Sequence, residues 1–101
     1  MTKLSNSGWI PYQFHTGGTV QKGYCRPFAI QSGLRQFAMK AKKLLDSSPE
    51  EIKHVLYAVR YSPDEYRQET EYRFYLVPMT DEIFEERVQC IKNARIYALH
   101  R

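Results

Sequence analysis

A chain of 101 residues with 43% hydrophobic and 26% charged side chains has room for one domain with a modest two-layer core, and this composition excludes wholesale disorder. The formal net charge of +4 is unevenly spread. Lys3, Lys22, Arg26, Arg35, Lys40, Lys42 and Lys43 precede the first carboxylate, Asp46, so residues 1–45 carry +7 and the remainder −3. Such a field attracts polyanions or acidic surfaces to one end of the molecule. It identifies a type of partner and not a reaction.

Residues 1–8 are small and polar and read as a flexible tail, leaving 9–101 as a single domain. Residues 4–21 are uncharged, yet Ser5, Asn6, Ser7, Gly8, Pro11, Gln13, Gly17 and Gly18 interrupt them. That leaves neither a membrane span nor the apolar core of a signal peptide. The expectation is a cytoplasmic protein with no membrane partner. Cys25 and Cys90, 65 positions apart, form no CxxC pair and read as free thiols.

Trp9 to His15 alternates Ile10, Tyr12 and Phe14 with Pro11 and Gln13, the pattern of a half-buried strand. Pro11 pushes that strand toward a sheet edge. Thr16, Gly17 and Gly18 make a turn, and Thr19 to Tyr24 is a return arm of a hairpin. A helix follows, opened by Pro27 or capped by Ser32. Ile30, Leu34, Phe37, Ala38, Ala41, Leu44 and Leu45 form its apolar stripe, and Lys43 points away from it. Asp46, Ser47 and Ser48 end it.

Residues 49–61 carry both a helix start and a β pattern, and resolve into one helical turn at 49–52 and a strand at 53–61. Glu71 to Val77 is a second strand, closed by Pro78 and joined to the first through a charged tip at 62–69. Thr80 caps a second helix, with Ile83, Phe84, Val88 and Ile91 facing inward. Asn93 ends it if Arg95 to His100 forms a final strand; the alternative is helix to residue 101. The resulting βαββαβ order is ferredoxin-like, an α+β fold with an antiparallel sheet and two helices on one face.

Chemistry-bearing constellations are sparse. His15, His54 and His100 have no metal-ligand spacing, and no serine or cysteine carries a nucleophile-elbow signature. Neither a catalytic set, a metal nor a cofactor is therefore expected. Val20, Gln21, Arg26, Pro27 and Phe28, within Val-Gln-Lys-Gly-Tyr-Cys-Arg-Pro-Phe, resemble the phosphate-cradle loop of acylphosphatases. The resemblance implies an anion-binding Arg26 at a helix N-terminus and a hydrolase of phosphate-containing substrates. Lys22 and Tyr24 stand where that family carries glycine.

Lys22, Arg26, Arg35, Lys40, Lys42 and Lys43 are expected to form a basic surface on and around the first helix. Tyr57, Tyr61 and Tyr75 are strand tyrosines suited to anchoring a partner or stacking bases. The leading expectation is a non-catalytic inhibitor or adaptor docking an acidic protein surface or nucleoprotein complex. The alternatives are an RNA- or DNA-binding protein and the phosphate-substrate hydrolase. An open sheet edge also allows a homodimer.

Overall fold

The computed structural model describes residues 8–62 and 70–101. Five strands and two helices follow one another as β1 (Ile10–Thr16), β2 (Thr19–Cys25), α1 (Pro27–Asp46), β3 (His54–Tyr61), β4 (Glu71–Met79), α2 (Asp81–Cys90) and β5 (Ala94–His100). They build one sheet in the order β2-β1-β4-β3-β5. The expected flexible tail and charged hairpin tip fall largely on residues 1–7 and 63–69, outside the described residues.

The sheet is mixed, not antiparallel as expected. β1 pairs antiparallel with β2 but parallel with β4, while β3 lies antiparallel to both β4 and β5. The ferredoxin-like order is not formed, because the first hairpin contributes two strands and β1 docks on β4 in the middle. Nor do the helices share a face. Ile30 and Phe37 of α1 pack with Phe74, Leu76, Tyr57 and Tyr97, whereas Phe84 of α2 packs with Leu56, Val59, Tyr75 and Val77. Alternate residues of a strand project to opposite sides, so α1 and α2 cover opposite faces. Chain handedness explains it. The β2–α1–β3 and β4–α2–β5 crossovers move the same way across the sheet, but their strands run in opposite directions. Right-handed crossovers then place their helices on opposite sides.

Pro27 occupies the first turn of α1, where its missing N–H costs nothing, and Arg26 is the N-cap residue. The helix buries Ile30, Phe37, Ala41 and Leu45, four members of the predicted stripe. Phe37 stacks on Phe14 at 5.7 Å and meets Phe74 at 5.1 Å, with Phe74 also 5.2 Å from Phe14. At the other end, Arg101 Nη2 donates to the carbonyls of Leu45 and Ser48, satisfying acceptors that a helix terminus leaves open.

Pro11 and Pro78 sit differently from expectation. Pro11 lies in an internal strand, but the parallel pairing with β4 begins one residue later, at Tyr12. Pro78 lies within β4 rather than ending it, in the half of that strand beyond the β1 pairing, where a lost N–H is tolerated. A register shift between Leu56 and Ala58 bulges β3, so Tyr57 and Ala58 both pack on the α1 side. Gly23 is needed because Tyr12 lies across it: a Cβ there would stand 2.8 Å from the Tyr12 hydroxyl.

α2 starts as predicted, with the Thr80 hydroxyl accepting from the Ile83 N–H at 3.4 Å. It buries no residue. Ile83 and Val88 are 48% and 43% exposed, contrary to the expected inward stripe, and Ile91 falls just beyond the helix. Asn93 takes a left-handed backbone conformation at φ 55°, turning the chain into β5.

Candidate functional site

The outward side of α1 is built by helical spacing alone. Opposite its buried stripe lie Phe28, Arg35, Met39, Lys42 and Lys43, with Phe28 75% and Met39 64% exposed. Lys42 makes an exposed i,i+4 ion pair with Asp46 at 3.7 Å, worth little in solvent. Among the described residues no ion pair engages Arg35 or Lys43. Lys40 lies on the flank with its ammonium 5.0 Å from the Phe37 ring centre. Beside it opens a recess of about 260 Å³ lined by His15, Thr16, Gly17, Phe37, Lys40 and Leu76.

The six expected cations do not converge. Arg26 sits at the start of α1 with its guanidinium 4.8 Å from the Trp9 ring centre. Lys22 pairs across the hairpin with Gln13 and projects to the side away from α1. Arg35, Lys42 and Lys43 alone share the outward ridge. The residues that resemble a phosphate cradle are strand through Cys25, and only Arg26 separates β2 from α1.

The tyrosines are divided too. Tyr57 lies on the α1 face, 6.3 Å from Tyr97, and burial together with Tyr97 raises its phenol pKa. Tyr61 and Tyr75 occupy the opposite face within a polar network. There His15 Nε2 donates to the Gln13 side-chain oxygen Oε1 at 2.8 Å, and Gln13 Nε2 donates to Glu71 at 3.3 Å. Arg73 donates to the other Glu71 oxygen at 2.6 Å and lies 4.6 Å from the Tyr61 ring. Desolvation lowers the Arg73 pKa, but the Glu71 hydrogen bond and charge outweigh it, and the net shift is upward. Burial first, then a hydrogen bond with Tyr61, pushes the Tyr75 phenol up to about 12. These rings are engaged within the sheet rather than offered as a bare stacking surface.

Two groupings escaped the sequence. Arg60 and Arg95 stand directly opposite each other on β3 and β5, beside Tyr72 on β4. Arg95 reaches over Tyr97 at 5.5 Å, and Arg60 Nε is buried with no hydrogen-bond partner among the described residues. The second grouping is His54, His100 and Asp81, gathered where β3, β5 and the start of α2 meet. Strand register makes both groupings, so spacing along the chain carries no sign of either.

Cys25 is half-buried and Cys90 exposed, both free thiols; burial raises the Cys25 pKa. No helix is long and apolar enough to cross a membrane among the described residues. No protein-family model, no curated protein and no solved structure matches the chain.

Proposed function

We propose that this protein is a non-catalytic docking module, of inhibitor or adaptor type, whose first helix meets an acidic protein surface. One observation carries the reading: the outward ridge of α1 interleaves exposed Phe28 and Met39 with Arg35, Lys42 and Lys43. Cations steer an acidic partner and set register, while exposed apolar side chains supply the desolvated contact that holds it. A phosphate backbone rewards the cations but gives little for Phe28 and Met39. The recess beside Lys40 adds an apolar floor, Phe37 and Leu76, for one partner side chain. Catalysis is not favoured. The Asp81–His54 pair ends on a second imidazole, not on a hydroxyl or thiol.

RNA or DNA binding is the second reading, supported by the adjacent Arg60 and Arg95 with Tyr72 and Tyr97. Affinity capture from the native cell, with nuclease treatment in parallel, separates the two. The docking reading expects one dominant protein that survives nuclease and is lost with Arg35→Glu/Lys43→Glu and with Met39→Asp. Loss on nuclease treatment, with binding unaffected by Met39→Asp, would transfer the function to nucleic acid.

A further inference from the structure

β3 and β5 place His54 and His100 at directly paired positions. Their Nδ1 atoms face each other at 2.7 Å, and the rings meet edge-on with centres 4.9 Å apart. Asp81, the first residue of α2, accepts from His54 Nε2 at 2.6 Å. Because the carboxylate accepts, His54 carries a proton on Nε2, so its Nδ1 accepts and His100 Nδ1 donates across the 2.7 Å contact. Phe84, one turn further along α2, stacks on His54 at 4.3 Å and 12° and meets His100 edge-on at 5.3 Å. Both imidazoles are therefore held in place by neighbours, with their Nδ1 atoms joined by a hydrogen bond that a metal ion would replace.

We propose that His54 and His100 chelate one divalent transition-metal ion of the copper, nickel or zinc type through their Nδ1 atoms, with Asp81 orienting His54. Imidazole is the ligand that such ions share. Two nitrogens at right angles on a square-planar copper or nickel ion, each at ~2.0–2.1 Å, stand about 2.9 Å apart; on tetrahedral zinc they stand about 3.4 Å apart. The observed 2.7 Å thus needs only a small opening to admit a metal in cis geometry. A carboxylate on the far nitrogen of a ligating histidine fixes its tautomer and ring orientation, which is the relation of Asp81 to His54. His100 is exposed, so its ring proton reaches Nε2 through water when Nδ1 takes the metal. Among the described residues no group of three or more His, Cys, Asp or Glu side chains is placed to hold a metal. Water or a partner's donor completes the coordination, and the site is open in the way that ligand-exchanging metal sites are. Protons compete for both nitrogens, so binding weakens on acidification.

The test uses the whole protein with copper(II) alone, then zinc(II) as competitor. One copper per chain is expected, with paramagnetic resonance reporting two imidazole nitrogens. His100→Ala should leave one nitrogen and weaken binding at least tenfold, and His54→Gln should do the same. Asp81→Asn should weaken it roughly tenfold while keeping two nitrogens, and His15→Ala should change nothing. A readout free of variants is zinc titration followed by histidine ring nitrogen shifts, in which His54 and His100 move together and His15 does not. Binding unchanged in His100→Ala, or zinc shifts that bypass the pair, would overturn the proposal.

Discussion

The two helices answer the same sheet in opposite ways. α1 spans 20 residues, buries four side chains and is closed at its end by Arg101; α2 spans 10 and buries none. The outer side of α1 is cationic through Arg35, Lys42 and Lys43, that of α2 acidic through Glu82, Glu85 and Glu86. A helix that supplies half of a core cannot leave it, so only its outer ridge stays exposed. A helix held chiefly through one half-buried ring can open locally while the sheet stays folded. Stability is thus concentrated on the α1 side of the sheet.

The sharpest way to break this comparison is to delete one ring on each side. Phe74→Ala, beneath α1, should cost about 3–5 kcal/mol in urea unfolding. Phe84→Ala, on the α2 side, should cost roughly 1–2 kcal/mol, since its ring is only half-buried. Equal losses would mean that α2 is as structural as α1. Next in size is Thr80→Ala, which removes the α2 cap at a cost of ~1 kcal/mol. Amide exchange should quicken across Asp81–Cys90 and stay unchanged in α1.

The smallest expected effect concerns the face that α2 leaves open. Tyr75 keeps its proton up to about 12 in the folded chain, against an ordinary 10.0. Between those values the unfolded chain loses the proton and the folded chain keeps it, so stability should fall as pH rises through the window. Its contribution is complete below pH 10. Solvent near Tyr75 keeps it modest. Ultraviolet titration of wild type and Tyr75→Phe isolates the late-ionising phenol; no late phase in wild type would place Tyr75 in open solvent.

Local patterns were legible in the chain; pairings were not. Pro27 and the spacing of Ile30, Phe37, Ala41 and Leu45 located α1, and alternation located β4, because these are periodicities of a single segment. The β pattern of β3 competes with a helix start and rests on the need of β4 for a neighbour, and β5 stands against a continued helix. The choice of β4 as neighbour for β1 depends on residues 60 positions apart, Tyr12 and Tyr72, and no local signal encodes it. That choice turned an expected ferredoxin-like sheet into a mixed one, and the docking of β5 on the outer edge of β3 sent the helices to opposite faces. The ridge on α1 was readable from its wheel, whereas the side on which the expected arm 19–24 projects Lys22 was not, since it follows from the pairing with Gln13. His54 and His100, 46 positions apart, met only through register. The β3 bulge hid the true sides of Tyr57 and Ala58, since an inserted residue breaks the alternation from which sides are inferred.

The parallel seam between β1 and β4 has a kinetic consequence. The first hairpin forms from neighbours in the chain, whereas joining it to β4 closes a loop of about 60 residues, an entropic toll levied before any contact across the seam is made. Until that seam closes, the apolar undersides of Ile10, Tyr12 and Phe14 lack the β4 residues that pack beside them in the sheet.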